Sequence, residues 1–326
     1  MCTQPTAAPL LPPLITFIVP CYNLERGLIR DCVESLLAID LRPEERQILL
    51  VDDGSREDPM LALKGLEQEV SCLHQPNRGL SAARNNALAH AQGRYIQLVD
   101  GDACLIAACY NQLLGLLRSG KADIVFFRLT SHKKKKAHSI GNNPFMTGSH
   151  YLSTHNLRAS ACGYAFRRAC LKGLSFAEGL LHEDELFTPQ LVVNADNVME
   201  TSLPAYFYRQ RNGSITRCHT LRWTVRRLTD LRHIISTLHA IASRQQGEHR
   251  EALNRRSSQL SMDYLYTTVL LTDSYHQLER NIQRLKQQGC YPLAAKSYTL
   301  KYTLFRLLLK NATGRRLLWL LIHFQR

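Results

Sequence analysis

The feature that most constrains the fold is a series of short apolar runs, each closing on a polar or turn-forming tip. "LITFIVP", "RQILLVDDG", "VSCLHQP", "RYIQLVD" and "ADIVFFRLT" all precede Arg217. Most are near-continuously hydrophobic, as strands buried on both faces of a parallel sheet must be. Helix-like stretches at residues 30–38, 59–69, 81–91 and 106–118 separate them. The alternation predicts an α/β fold, a mostly parallel sheet flanked by helices. Open sheets of this kind bind ligands beyond the carboxyl ends of their strands. The tips "VPCYN", "VDDGS", "QPNRG" and "VDGDA" are therefore expected along one edge.

Past Arg217 the pattern changes. No Gly or Pro occurs from Ser214 to Gln246, and Val225, Leu228, Leu231, Ile235, Leu238 and Ile241 recur at the three- and four-residue spacing of one apolar helix face. A second Gly- and Pro-free stretch covers residues 248–288, and a last one follows Pro292 with an interruption expected at Gly314. The predicted division is an α/β domain at 1–217 and a helical, basic region at 218–326.

Charge is concentrated at that end. The formal net charge is +14, and from Arg280 to Arg326 there are ten Lys or Arg and no Asp or Glu. Such a block suits an anionic surface, and the leucines, Trp319 and Phe324 interleaved with it favour an amphipathic helix at a lipid interface. No nucleic-acid-binding motif is recognisable, so nucleic acid is not an expected partner. The longest apolar run near the C-terminus, Leu317 to Ile322, is far short of the ~20 residues that span a bilayer. The first residues lack a basic region, and Pro9, Pro12 and Pro13 break their apolar stretch, which argues against a secretory signal. Ten cysteines without a C-x-x-C pair read as reduced thiols of a cytosolic chain. The expected location is cytoplasmic, peripheral at the inner face of the cell membrane.

Four of the motifs carry chemistry. In "ILLVDDGS", Asp53 offers an ionised carboxylate, an acceptor for an imide N–H, although Asp-Gly-Ser is also a common turn. In "QPNRGLSAARNNAL", Gly79 permits a tight turn, Ser81 is a candidate N-cap and Arg84 is expected on the first helical turn, either a phosphate site or an ordinary capped helix. In "VDGDA", Asp100 and Asp102 share one side if strand geometry continues, and hard oxygens of this kind suit Mg²⁺ or Mn²⁺; the alternative is a solvated turn. "LHEDELFTPQLV" places His182, Glu183, Asp184 and Glu185 at a helix start, where acids gain from the dipole or where one serves as a general base. The spacing is not that of an H-E-x-x-H zinc site.

Together and in this order, "FIVPCYN", "LLVDDGS", "NRGLSAARNNAL", "YIQLVDGDA" and "LHEDELFTPQLV" resemble the family 2 glycosyltransferases, inverting enzymes of the GT-A fold that use nucleotide sugars. The resemblance covers residues 14–216 and leaves the C-terminal helical extension outside it. It implies that Pro20 and Tyr22 line the nucleotide base, that Asp53 hydrogen-bonds it, and that Asn77, Gly79 and Arg84 continue the pocket. It makes "DGD" a DxD motif, with Asp100 near the ribose and donor sugar and Asp102 holding Mn²⁺ or Mg²⁺ on the diphosphate. Many relatives carry a further acid where this chain has Ala103. Asp184 matches the catalytic base, and "RQRNGSIT" looks like a segment closing over the donor, with Arg209 or Arg211 meeting phosphate. The resemblance favours a UDP-sugar donor and a glycan or lipid-linked sugar acceptor, the latter met by residues 131–168. A reading from another class, a non-catalytic nucleotide-sugar-binding or scaffold subunit recruited to the membrane, differs in that it binds the donor without turning it over.

Overall fold

The computed structural model describes residues 12–132, 140, 143–210, 220–272 and 274–324. "KKKK" at Lys133 to Lys136, Arg211 and the expected domain boundary all fall outside these residues. Strands are β1 (Ile15–Cys21), β2 (Arg46–Asp52), β3 (Ser71–His74), β4 (Tyr95–Leu98), β5 (Cys104–Leu105), β6 (Ile124–Phe126), β7 (Leu129–Thr130), β8 (Tyr164–Arg167), β9 (Val198–Glu200) and β10 (Tyr206–Phe207). Helices are α1 (Arg26–Leu37), α2 (Leu80–His90), α3 (Ala107–Ser119), α4 (Gly148–Thr154), α5 (Asp184–Val193), α6 (Leu221–Ser243), α7 (Gly247–Thr272), α8 (Tyr275–Gln287), α9 (Leu300–Leu308) and α10 (Ala312–His323).

These elements gather into two compact units. The first takes the chain up to Phe145, Ala161–Gly173 and Asn197–Arg209; the second takes Met146–Ser160, Leu174–Asp196 and the chain from Gln210 onward. The chain therefore passes between them several times, and α4 and α5 belong with the C-terminal helices.

The first unit holds a seven-stranded sheet in the order β3-β2-β1-β4-β8-β6-β9. β3, β2, β1 and β4 run parallel, with Cys21 opposite Asp52 and Asp52 opposite His74, so their polar tips emerge along a common edge as expected. β8 lies antiparallel between β4 and β6. Every residue of β1 is buried, the condition its continuous apolar sequence anticipates. Beneath the sheet Tyr110 meets Phe17 and Phe127 at ring separations of 6.1 and 5.9 Å. A smaller sheet, β5-β10-β7, carries Tyr206 and Phe207.

The second unit is helical. Ile234, Ile235 and Leu238 of α6, Leu253, Leu260 and Tyr264 of α7, and Leu278, Ile282 and Leu285 of α8 are among its buried apolar residues. No helix among the described residues is long and apolar enough to cross a membrane.

Four local expectations change. The run "ADIVFFRLT" divides into β6 and β7, which pair in different sheets. Residues 59–69 form two short 3₁₀ turns rather than an α-helix, separated by Gly65 at φ +86°. The long 248–288 stretch breaks where the Ser274 side chain caps α8. Gly314 lies inside α10, and the break comes earlier, where the Asn311 side chain accepts from the Gly314 N–H.

Candidate active site

At the tip of β2 the two aspartates have separate tasks. Asp52 accepts from the Ser55 N–H at 2.9 Å and faces His74 Nδ1 at 3.3 Å. Asp53, only 4% exposed, accepts from Gln75 Nε2, Arg78 N and Gly79 N, all at 2.8 Å. A carboxylate has about four acceptor sites, and three of these serve the loop at 75–79. Gly54 has φ +77°, and a Cβ there would lie 2.7 Å from Asn77 N, so the loop closes against bare backbone. Asn77 and Tyr22 are exposed, and Pro20 is buried at the end of β1.

Gly79, not Ser81, precedes the first residue of α2; Ser81 lies inside the helix and is buried. Arg84 consequently sits two residues further in, on the second turn. Its side chain is 5% exposed and its Nη2 lies 3.3 Å from Asp100 Oδ1.

β4 ends at Leu98, and "DGD" is a turn closed by the Ala103 N–H on the Asp100 carbonyl at 2.9 Å. Strand alternation therefore does not govern Asp100 and Asp102. Packing and hydrogen bonds hold the turn instead. A Cβ on Gly101 would come within 2.7 Å of Leu24 Cδ1 and 3.0 Å of the Pro20 carbonyl. The Tyr206 hydroxyl accepts from Asp100 N at 3.0 Å and donates to Asp100 Oδ2 at 3.2 Å. Burial first, then the neighbouring Asp100 carboxylate, pushes that phenol well above its ordinary pKa, so it remains a neutral O–H donor. Arg209 donates from Nε to the Asp102 carbonyl at 3.1 Å and from Nη2 to Asp31 Oδ2 at 2.7 Å. Tyr206 escaped the sequence reading because "AYFYRQ" has no motif spacing; its role depends on β10 pairing with β5, the strand that follows the turn.

Among the described residues no three His, Cys, Asp or Glu side chains gather where they could hold a metal ion, so a hard divalent cation could draw on no more than the two carboxylates of this turn. It offers carboxylate oxygens without thiolate or imidazole, and a Mg²⁺ or Mn²⁺ ion held by one or two carboxylates completes its shell with phosphate and water.

In the second unit α5 begins at Asp184, with Glu185 also in its first turn, as the sequence suggests. His182 precedes it at φ +62°. Its pKa is lowered by burial and then by Arg227, against the pull of Glu185 and Glu183. α5 is fixed from behind. Glu185 pairs with Arg256 of α7, which also donates to the Leu157 carbonyl at 3.2 Å. Thr188 Oγ1 donates to the Ala159 carbonyl at 2.7 Å. The adjacent Arg255 donates to the carbonyls of Leu152 and His155 and to Asn156 Oδ1. Two buried arginines of a helix outside the motif region thus hold the segments around Asp184.

Residues 16–176, which include this sheet edge and its turn, match the family described as Glycosyl transferase family 2. Over that stretch the chain belongs to the family. Among curated relatives, the glycosyltransferase EpsJ of Bacillus subtilis is 29% identical over 221 residues, 63% of this chain and 63% of EpsJ. The chain thus spans less than two thirds of that relative's length. Among solved structures, S. aureus TarS 1-349 in complex with UDP-GlcNAc aligns with a TM-score of 0.61 at 20% identity, covering 85% of this chain and 89% of that one. The mannosyltransferase PcManGT from Pyrobaculum calidifontis, in complex with GDP-Man and Mn²⁺, aligns with a TM-score of 0.56 at 17% identity, covering 98% and 90%. These likenesses establish the GT-A fold, and they extend it beyond the family match into the C-terminal helices.

Proposed function

We propose that this family 2 protein transfers a sugar, with inversion, from a nucleoside diphosphate to a hydroxyl of a glycan or lipid-linked acceptor during cell-surface polysaccharide synthesis. The carrying observation is the Asp100–Asp102 turn at the carboxyl edge of the parallel sheet, braced by Arg84, Tyr206 and Arg209. A UDP-sugar is the favoured donor, supported by the UDP-GlcNAc complex of the TarS neighbour. In this reading Pro20, Tyr22, Asn77 and Gly79 line the nucleotide, and Asp53 shapes that wall by tying down the 75–79 loop. Asp102, with Asp100 beside the donor sugar, would hold Mn²⁺ or Mg²⁺. Such an ion supplies Lewis-acid stabilisation of the charge on the departing diphosphate.

Asp184 is the proposed base. The acceptor oxygen forms its bond to the anomeric carbon as the bond to the diphosphate breaks on the opposite face, and the hydroxyl proton passes to the Asp184 carboxylate. One displacement inverts the centre and needs no covalent enzyme intermediate. The enzyme is proposed to work at the inner face of the membrane as a peripheral protein.

Two variants test the assignment with UDP-GlcNAc as first donor. Asp184→Asn is expected to lower UDP release by about 10²–10⁴-fold while calorimetric donor affinity stays within about twofold. Asp102→Ala is expected to lose Mn²⁺-dependent donor binding. Near wild-type turnover by Asp184→Asn refutes its role as base, and an unchanged Mn²⁺ response in Asp102→Ala refutes the metal assignment.

A further inference from the structure

The last two helices are apolar on two opposite sides. In α9, Tyr302 and Phe305 are buried, while Leu300, Leu304 and Leu307 stand exposed on the other face at four- and three-residue spacing. In α10, Leu318 and Ile322 are buried, while Leu317, Leu320 and Leu321 form an exposed stripe that the C-cap residue Phe324 continues. Leu300 is 78% and Phe324 80% exposed. Of thirteen large apolar side chains exposed among the described residues, six lie in these two helices and a seventh, Phe324, caps the second. Single exposed leucines need no explanation, but a concentration of this kind marks contact with another body.

Charge selects the body. Lys301, Lys310 and Arg316 are exposed beside the stripes, and no acid occurs between Arg280 and Arg326. A second copy docked face to face would bring two uniformly basic blocks together, an electrostatically unfavourable pairing. An anionic bilayer offers what both features require: apolar depth for the leucines and Phe324, and phosphate headgroups for the flanking cations. The helices have 9 and 12 residues and cannot span, so they would lie in the interface.

We infer that α9 and α10 form the surface by which this protein binds an anionic lipid bilayer, through the exposed faces of Leu300, Leu304, Leu307, Leu317, Leu321 and Phe324. The inference rests on the peripheral-membrane part of the function proposed above and names the residues responsible; it does not depend on the catalytic assignments.

The experiment is vesicle co-sedimentation of the full chain, using phosphatidylcholine vesicles with and without about 30 mole per cent phosphatidylglycerol. Partitioning is expected to be at least about tenfold stronger on the anionic vesicles and to weaken with added salt. Leu304→Glu/Leu321→Glu is expected to lose about tenfold or more in binding, and Lys301→Gln/Lys310→Gln/Arg316→Gln to lose most of the preference for anionic vesicles. All these positions are exposed, and although Lys301 and Arg316 lie over the Tyr266 and Tyr275 rings, such contacts are worth only about 0.5–1 kcal/mol at exposed sites, so thermal melts should stay close to wild type; if the glutamate variant unfolds, the glutamine variant still reads the proposal. UDP release from UDP-GlcNAc in vesicle-free solution should be unchanged in both. Absence of vesicle binding by the wild type, equal uptake by uncharged vesicles, or a self-association that the glutamate variant abolishes while vesicles take up nothing would each overturn the inference. Absence of UDP release by the wild type with vesicle binding retained would instead count against UDP-GlcNAc as the donor and leave the membrane inference standing.

Discussion

The Tyr206 hydroxyl bridges both sides of one residue, accepting from the Asp100 backbone N–H and donating to its carboxylate. A side chain from a short strand 106 positions later therefore sets the orientation of the first acid of the Asp100–Asp102 turn. Tyr206→Phe keeps the buried ring but leaves the Asp100 N–H without this acceptor. The expected cost is about 1–3 kcal/mol in urea denaturation, with donor affinity in the presence of Mn²⁺ weakened several-fold by calorimetry. Unchanged donor affinity would show that the bridge stabilises the fold without shaping the site.

Asp53 is expected to be more consequential for folding than its place in a nucleotide pocket suggests. Its buried carboxylate satisfies two backbone N–H groups and the Gln75 amide, and Asp53→Ala would orphan them together. The predicted loss is about 1–3 kcal/mol, since the donors left behind can partly reach water, measured by chemical denaturation. Asn, which keeps one carbonyl oxygen but presents an NH₂ to the remaining donors, should fall between. A loss below about 1 kcal/mol for Ala would mean that the 75–79 loop is held by other contacts.

Sequence pattern and structure agree most closely where local chemistry decides. Continuous apolar runs located β1, β2 and β4, and the acids before "LFTPQLV" located the start of α5. The pattern failed where a long-range partner decides. Gly79 rather than Ser81 precedes α2, and its N–H is taken by the Asp53 carboxylate from a different strand tip. Strand alternation could not describe Asp100 and Asp102 because their geometry belongs to a turn pinned by Tyr206 and Arg209. Arg255 and Arg256 were invisible for the same reason. On the sequence they are two charges in a long helix, and only the packing of α7 against α4 and α5 shows them buried.

Arg256 supplies a test of that packing. Its side chain is 8% exposed and pairs with Glu185, one residue after the proposed base. Arg256→Ala removes the pair and the donor to Leu157, and a loss of about 2–3 kcal/mol is expected because Glu185 keeps partial access to water. If the pair positions α5, UDP release should drop more than donor affinity, and Arg256→Lys should restore stability better than turnover, since an ammonium cannot reproduce a two-partner guanidinium. Equal rescue of both by Lys would reduce Arg256 to a structural residue.

His182 gives the pH dependence its sign. Its folded-state pKa is below the ordinary value of 6.5, chiefly through burial. Above that value the ring is neutral in the folded and unfolded chains alike and contributes no slope. As pH falls below it, the unfolded chain takes up a proton that the folded chain resists, so stability declines until the folded pKa is reached and then levels off. Asn tolerates the left-handed backbone at φ +62° and does not titrate, which makes His182→Asn the clean comparison. Denaturation midpoints taken from about pH 7.5 to 5.5 should fall more steeply for the wild type than for His182→Asn. Parallel curves would show that His182 ionises as readily in the folded protein as in the unfolded chain.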